Sequence, residues 1–332
     1  MLLLHIGPHK TATTYIQHNL FGTQSALAER GWIYPEFGTF GMSGHHDIAH
    51  NPDRYLAGEQ TAALTEVGAG AKVGGQDIVL SAEGFCRWSP QRFRQLAQVL
   101  GQEQVHLVYT VRDPFDVLYS YWAEEVKQGY SKSFADRFIE NITTGAKSRL
   151  MNPMRDLTLH LSAKTAQVSV IPYNVLIADH IDIYDHFSAT FLGITDVPKV
   201  DSRPKNTALG IEITEFLRLM TTVHGKGVAH IGSQLRQKFL TATSQADQRV
   251  LADLVRKQGE AARRVIAMDG LDLLKRRLEQ VAIKGLEGHW STPVEGKSIH
   301  KDGNQEFVHY DSFLLWQIPE IRAAVEAQLE NL

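Results

Sequence analysis

The sequence predicts an α/β fold with a parallel, doubly wound sheet. Short apolar runs that end at turn residues recur along the first two thirds of the chain, and stretches with helical apolar spacing follow them. Two of these stretches, at Ser89-Pro90 and Asp113-Pro114, open with a capping residue and then a proline at the first helical position. Strands that alternate with helices in this way favour a parallel sheet that binds ligands at the carboxyl ends of its strands.

The first two predicted strands cover residues 2–7 and 77–82. Residues 2–7 are almost entirely apolar and end at a Gly-Pro pair, which is typical of a central parallel strand. A helix is predicted over residues 11–30, because apolar residues recur there at helical spacing until Gly31 stops them. The helix that begins at Ser89-Pro90 follows the second strand.

The next two predicted strands cover residues 104–111 and 167–173. The helix that opens at Asp113-Pro114 follows the third strand, and a helix over residues 181–192, ended by Gly193, follows the fourth. Each strand is therefore followed by a helix, as a parallel sheet requires.

The last third of the chain has a helical pattern from about residue 210, including a long stretch over residues 241–268. Residues 289–303 are polar and rich in turn-forming residues, so we expect a loop or flap there. No linker marks a boundary. We therefore expect one domain over residues 1–332, with extra helices over about 210–332.

The composition excludes several classes of protein. Of 332 residues, 43% are hydrophobic and 21% are charged, which is ordinary for a globular protein and argues against disorder. A formal charge of −3 gives no reason to expect a nucleic acid as partner. The single cysteine, Cys86, rules out an intramolecular disulfide and a multi-cysteine zinc site. With no apolar run of about 18 residues and no signal-peptide pattern, we expect a cytoplasmic protein without a transmembrane segment.

The turn after the first strand has the chemistry of an anion site. A helix N-terminus presents unpaired N–H groups and a positive dipole end, to which Lys10 adds a charge and Thr11, Thr13 and Thr14 add hydroxyl donors. The segment is not a Walker A loop, because G-x-x-x-x-G-K-[ST] is absent. We interpret the segment as a P-loop-like phosphate-binding turn. The alternative is a plain turn with a solvated lysine and a threonine cap.

A second anion site is predicted where the third strand ends. Arg112 should emerge at the carboxyl edge of the sheet, near the first turn, and Ser120 lies about two turns into the following helix. An arginine and a hydroxyl that converge on one point suit a second phosphate. The alternative is that Arg112 pairs with Asp113 or Asp116 and that Ser120 only packs.

Together these two segments resemble the sulfotransferase superfamily that uses 3′-phosphoadenosine 5′-phosphosulfate. The family's 5′-phosphosulfate loop reads roughly P-x-K-[ST]-G-T-T, which Pro8 to Thr14 match, and its 3′-phosphate segment reads R-[DN]-P-x-[DE]-x-x-x-S, which Arg112 to Ser120 match. Ala12 stands where the family usually has glycine, and it would be strained if the loop needs a positive φ there. The nearest resemblance is to bacterial, carbohydrate-type members.

The resemblance implies in-line transfer of a sulfuryl group from this donor to an acceptor hydroxyl, with a glycan as the expected acceptor and no metal required. Lys10 would stabilise the leaving phosphate, Arg112 and Ser120 would hold the 3′-phosphate, and Tyr173 would contact the adenine. The residues that would hold the 5′-phosphosulfate are Pro8, His9, Lys10, Thr11, Ala12, Thr13 and Thr14.

The acceptor also needs a general base. Glu83 is the first candidate, because it follows the second strand at the same edge of the sheet and because a glutamate after a strand often has this role in carbohydrate sulfotransferases. The histidines at positions 45, 46 and 50 are the rival, with His46 or His50 as a substrate-facing imidazole and His46 taken as the alternative catalytic residue. Glu83 could also be a surface carboxylate or a partner of Arg87.

Two other functions remain open at this stage. An ATP-dependent kinase would share the sheet and the anion loop but would need Mg²⁺ and carboxylate ligands for it. A nucleotide-binding protein without catalysis would need neither Lys10 nor Glu83. Neither the identity of the acceptor nor the oligomeric state follows from the sequence.

Overall fold

The computed structural model describes residues 1–39, 41–200, 209–225, 229–301 and 305–331. Gly303, the end of the predicted flap, lies outside these ranges. The strands within them are β1 (Leu2–His5), β2 (Trp32–Ile33), β3 (Asp77–Ser81), β4 (Val105–Val111), β5 (Gln167–Pro172), β6 (Arg263–Ala267) and β7 (Glu306–Tyr310).

The helices of the first half of the described chain are α1 (Thr13–Gly22), α2 (Gln24–Ala28), α3 (His46–His50), α4 (Pro52–Leu56), α5 (Thr61–Val73), α6 (Pro90–Val99), α7 (Pro114–Lys127), α8 (Phe134–Thr144) and α9 (Met154–Ala163). Those of the second half are α10 (Tyr173–Ala178), α11 (Ile183–Phe187), α12 (Ile211–Gly225), α13 (Ala229–Ala242), α14 (Gln245–Gln258), α15 (Asp272–Gly285), α16 (Ser312–Gln317) and α17 (Pro319–Glu330). A 3₁₀ turn covers Glu83–Arg87, directly after β3.

The described residues form two compact units that alternate along the sequence. The first takes its residues from Met1–Pro114, Asn152–Lys205 and Lys275–Asp302, and the second takes the rest. A compact unit is not the same as an independently folding domain, so the single domain expected from the sequence stays a prediction.

The first unit contains a five-stranded sheet in the order β2-β3-β1-β4-β5, and all of its strand pairs are parallel. β1 lies in the middle: Leu3 pairs with Val79 on one side and with His106 on the other. Every residue of β1 and of β4 is buried, as apolar central strands of parallel sheets are. The structure confirms the predicted α/β fold with a parallel sheet.

Neighbouring residues of a strand point to opposite sides of the sheet. The apolar strands therefore need cover on both sides, and helices lie on both faces of this sheet. Leu2 and Leu4 belong to one apolar core, with Phe93 of α6. Leu3 belongs to the other, with Leu20 of α1. All five side chains have no exposed surface or almost none, and each such burial stabilises the fold by about 1.5–3 kcal/mol.

The second unit is mostly helical, with an antiparallel pair, β6 and β7, that the sequence did not predict. Its core contains a buried ion pair. Arg218 on α12 donates through Nε to Glu215 Oε2 at 2.6 Å and through Nη2 to the Tyr310 carbonyl at 2.7 Å, while Tyr310 N donates to Glu215 Oε1 at 2.8 Å. The pair therefore holds α12 against β7.

Two predicted elements were wrong in detail. The helix expected over residues 11–30 ends at Gly22, because Thr23 leaves the helical region at φ −120°, and the chain then forms α2 and the short edge strand β2. The helical stretch expected over 241–268 is divided: Ser244 caps a new helix, α14, and residues 263–267 form β6.

The segment from His289 to Lys301 has no helix, which agrees with the predicted loop, but it is attached to the sheet. Val170 N donates to His289 O at 2.7 Å, and Ser291 N donates to Val170 O at 2.8 Å. Trp290 thereby forms a parallel bridge with Val170 of β5. Separately, none of the helices among the described residues combines the length and apolar character needed to cross a membrane.

Candidate functional site

The candidate site lies at the carboxyl ends of β1 and β3, which are neighbours in the sheet. The chain that leaves β1 enters α1 on one face, whereas the chain that leaves β3 passes through the 3₁₀ turn to α6 on the other face. Connections that leave adjacent strands toward opposite faces open a crevice between them, where α/β proteins bind ligands. The turn over residues 7–14 and Glu83 meet there.

Gly7 is required where the turn begins. Its φ is +85°, and a Cβ at this position would lie 2.9 Å from Glu83 Cα and 3.3 Å from Glu83 Cβ. Any other residue would therefore meet both the cost of a left-handed backbone and a collision with the neighbouring chain. Glycine lets the first turn, residues 7–14, pack directly on the Glu83 turn, which is the 3₁₀ turn over Glu83–Arg87.

The turn has two further left-handed residues, Lys10 at φ +66° and Ala12 at φ +63°. Ala12 is the N-cap of α1 and makes no side-chain capping bond. The loop therefore needs a positive φ at position 12, so the strain expected for alanine there is present. It costs about 1–2 kcal/mol relative to a right-handed conformation. The first amides of α1 have no intrahelical partner, so an uncapped start is suited to an anion.

Two of the three threonine hydroxyls in this turn are engaged within the protein. Thr11 Oγ1 donates to the Pro8 carbonyl at 2.7 Å, and Thr13 Oγ1 donates to Glu83 Oε1. Both threonines are buried, whereas Thr14 is exposed. Of the hydroxyl donors predicted from the sequence, Thr14 is therefore the one in contact with solvent, and Thr11 and Thr13 could serve an anion through their backbone amides.

Glu83 is an internal residue of the site and not a surface carboxylate. It is 6% exposed. Besides the Thr13 hydroxyl, Gln17 Nε2 donates to Glu83 Oε2 at 3.3 Å, and His46 Nδ1 lies 3.5 Å from the same oxygen. The suggested ion pair between Glu83 and Arg87 is not formed among the described residues.

The pKa of Glu83 reflects two opposing effects. Burial raises the pKa, but the Thr13 hydrogen bond and the charges of His46 and His9 together lower it by more. The net pKa therefore lies below the usual value for a glutamate. Glu83 is therefore a carboxylate at neutral pH. Burial is also the largest effect on His9, where it lowers the pKa of the imidazole while Glu83 acts in the opposite direction.

The three clustered histidines have different surroundings. His45 is fully buried: its Nδ1 accepts from Ser81 N at 3.1 Å and its Nε2 donates to the Pro35 carbonyl at 2.9 Å. His46 is partly exposed beside Glu83, and its ring stacks on that of the exposed His50 with centroids 6.4 Å apart. His45 thus anchors α3 to the end of β3 and places His46 at Glu83.

Arg112 lies against the first turn, as the sequence predicted. Its Nη1 donates to the Lys10 carbonyl at 2.7 Å, and its guanidinium carbon lies 5.2 Å from the centroid of the Tyr173 ring. The order of the strands explains this contact, because β4 is the direct neighbour of β1. Lys10, Arg112 and Tyr173, predicted from three distant segments, are therefore brought together.

The residues beside Arg112 fix the end of β4. Asp113 is fully buried; its N–H donates to Asn174 Oδ1 at 2.8 Å, and its Oδ2 accepts from Lys301 N at 3.0 Å. Lys275 Nζ lies 3.5 Å from the same oxygen. Ser120 lies half-buried on α7, in the second unit, and its pairing with Arg112 stays a prediction.

Sequence reasoning missed Gln17 and the structural roles of Asn174 and His45. A signal existed for Gln17, because it lies four residues after Thr13 and so on the same face of α1. The roles of Asn174 and His45 depend on contacts with strands that are distant in the sequence, and no local pattern marks such contacts.

Comparisons of the chain with models of protein families, with curated proteins and with solved structures find no match.

Proposed function

We propose that this chain is a sulfotransferase that transfers the sulfuryl group of 3′-phosphoadenosine 5′-phosphosulfate to an acceptor hydroxyl, with the first turn acting as a P-loop-like cradle. One observation carries the proposal. Arg112 donates to the carbonyl of Lys10, so the two predicted anion-binding groups adjoin at one edge of the sheet. A donor that carries phosphate at both the 3′ and the 5′ position of one ribose needs two such groups close together.

The first turn suits the 5′-phosphosulfate. It offers the uncapped N-terminus of α1, the Lys10 ammonium and the exposed Thr14 hydroxyl. Arg112 would take the 3′-phosphate, with Ser120 as the second group expected from the sequence, and Tyr173 would lie at the adenine. The guanidinium fork is the side chain best matched to phosphate oxygens.

The reaction forms a bond between the acceptor oxygen and sulfur while the bond between sulfur and the bridging phosphate oxygen breaks. Adenosine 3′,5′-bisphosphate leaves, and the acceptor proton passes to a base. Catalysis of this kind depends on positioning and on charge stabilisation. Lys10 would stabilise the negative charge that grows on the leaving phosphate.

For the base, the surroundings of the two candidates favour His46 over Glu83, the first choice from the sequence. Both Glu83 oxygens already accept hydrogen bonds, and a carboxylate with a lowered pKa is a weak proton acceptor. Glu83 at Nδ1 would orient the His46 ring, leaving Nε2 to take the proton. Glu83 is then a positioning residue.

The acceptor is proposed to be a glycan, on the strength of the resemblance to carbohydrate-type sulfotransferases. The test is transfer of radiolabelled sulfate from the donor to a panel of glycans, phenols and amines. Lys10→Ala should lower the rate by about 10²–10³-fold, as loss of one charge-stabilising donor does, while Lys72→Ala on the exposed side of α5 should not. Full activity in Lys10→Ala would overturn the mechanism, and magnesium-dependent turnover of ATP would favour a kinase.

A second experiment separates the two candidate bases. His46→Gln should lose activity at every pH, whereas Glu83→Gln should keep part of it, because the imidazole remains. If Glu83→Gln abolishes transfer while His46→Gln retains it, Glu83 is the base and the order proposed here is reversed.

A further inference from the structure

The proposed reaction does not involve the small sheet of the second unit, in which β6 pairs with β7. Backbone groups of an antiparallel strand point alternately toward its neighbour and away from it. The alternation is fixed at both ends of the pair, where Asp311 N donates to the Ala262 carbonyl at 2.8 Å and Met268 N donates to the Gln305 carbonyl at 2.9 Å. Positions 262 and 268 thus face β7, so positions 264 and 266 do too, and positions 263, 265 and 267 face outward.

The outer edge of β7 is closed by side chains of the second unit. Tyr119 on α7 donates to the Val308 carbonyl at 2.6 Å. At Tyr310, the carbonyl accepts from Arg218 and the N–H donates to Glu215. Val308 and Tyr310 are outward-facing residues of β7, so this edge has no room for another strand.

The outer edge of β6 is open at two residues. Val265 and Ala267 are exposed, and their outward N–H and C=O groups have no hydrogen-bond partner among the described residues. Arg263 is already engaged, because its N–H donates to the Glu260 carbonyl and its carbonyl accepts from Arg264 Nη1 at 2.8 Å. A row of open backbone donors and acceptors is a template for another strand. Such a strand must align on Val265 and Ala267.

We propose that β6 pairs antiparallel with β6 of a second copy of this chain, across a twofold axis at Ile266. In this register Val265 of each copy faces Ala267 of the other. The open N–H groups of each copy then donate to the open carbonyls of the other, so every open group at these two residues is satisfied. Ile266 faces its own counterpart, so an apolar side chain meets an apolar one.

The charges at the two ends of β6 favour a second copy over a strand of another protein. Arg263 at the start of β6 and Asp269 just after its end are exposed, and neither forms an ion pair within the described part of the chain. Antiparallel pairing about Ile266 brings Arg263 of each copy opposite Asp269 of the other. The same register therefore matches the hydrogen bonds and the charges.

Sedimentation velocity at protein concentrations up to about 100 μM tests the pairing. The unaltered chain should form a dimer. Val265→Pro removes an outward N–H and breaks no bond to β7, as proline on an edge strand can, and it should weaken the dimer at least tenfold because two hydrogen bonds are lost across the axis. Val265→Thr keeps the N–H and the branched shape, so it is the matched control. Circular dichroism checks that both variants are folded.

A charge exchange tests the two ends of β6. Arg263→Asp should weaken the dimer about threefold to tenfold, because it places two carboxylates opposite each other at both ends of the pair. Adding Asp269→Arg to the same chain reverses both charges and should restore the dimer.

An engineered disulfide reports the register. Ile266 and its counterpart would form a pair without mutual hydrogen bonds, with Cα atoms about 4.5 Å apart, which is within reach of a disulfide. Ile266→Cys should therefore link two copies under mild oxidation. Arg264→Cys should not, because its two copies lie four residues apart along the paired strands. The buried Cys86 is present in both variants.

A chain that stays monomeric over this concentration range overturns the proposal and leaves a strand of another protein as the occupant of the edge. Equal dimerisation of Val265→Pro and Val265→Thr overturns it as well, because the copies would then meet at another surface. So does equal cross-linking of Ile266→Cys and Arg264→Cys, a result that stands even if Val265→Pro fails to fold.

Discussion

Gly7→Ala tests how the first turn and the Glu83 turn are held together. The added Cβ would lie 2.9 Å from Glu83 Cα, a backbone atom that cannot move aside as a side-chain tip could. The left-handed backbone costs alanine about 1–2 kcal/mol, and overpacking costs about 1–3 kcal/mol. The stiffer unfolded chain returns about 0.4–1 kcal/mol. We therefore expect a net loss of about 2–4 kcal/mol.

Gly31→Ala is the matched control, because Gly31 has the same φ of +85° and no atom within 4 Å of its added Cβ. It keeps the backbone cost and lacks the collision, so it should cost only about 1 kcal/mol. Urea unfolding followed by circular dichroism and by tryptophan fluorescence gives both values, provided that the two probes agree. Equal losses in the two variants would refute the close packing of Gly7 on Glu83.

Three further predictions concern stability. Ala12→Gly should raise the free energy of unfolding by about 0.5–1 kcal/mol, because glycine relieves the left-handed strain but loosens the unfolded chain; a loss of stability would contradict the φ of +63°. Burial lowers the pKa of His5 and of His45 from 6.5 to about 4. As the pH drops from 6.5 toward 4, both histidines are protonated in the unfolded state but not in the folded state, so the free energy of unfolding falls. The fall between pH 7 and 5 should be about 2 kcal/mol for each histidine. His45→Gln should make that fall smaller in urea titrations at the two pH values, and an unchanged fall would show that His45 is not the source. Arg218→Ala should lower the free energy of unfolding by about 3–5 kcal/mol, because it leaves Glu215 buried without its partner. The double variant Arg218→Met with Glu215→Gln should recover part of this loss in thermal melts. A loss below about 1 kcal/mol in Arg218→Ala would contradict the buried pair.

The parts of the fold that the sequence predicted are those with a local signal. The strands β1, β3, β4 and β5 are apolar runs with clear ends, and their predicted and observed limits differ by two residues at most. The short edge strand β2 and the pair β6–β7 were missed. β6 is mostly exposed, and its residues lie at the end of the stretch expected to be helical, so its strand character comes from pairing with β7, about forty residues later.

The same distinction applies to the candidate site. A turn between a strand and a helix marks Lys10 as a candidate anion-binding residue, and the end of a strand marks Arg112 as another, so the positions of both could be predicted. The hydrogen-bond partners of Thr13 and Thr11 could not be predicted from the sequence. Thr13 donates to a carboxylate seventy residues away, and Thr11 to a carbonyl within its own turn, which depends on backbone angles that the sequence does not specify.

The central claim is that one edge of the sheet binds a nucleotide by its 3′- and 5′-phosphates, and comparison of adenosine 3′,5′-bisphosphate with AMP by calorimetric titration tests it most directly. We expect the bisphosphate to bind at least tenfold more tightly than AMP, a difference of about 1.4 kcal/mol, and Arg112→Ala to remove most of this advantage while affecting AMP less. Equal affinities for the two nucleotides, or equal losses for both in Arg112→Ala, would contradict it.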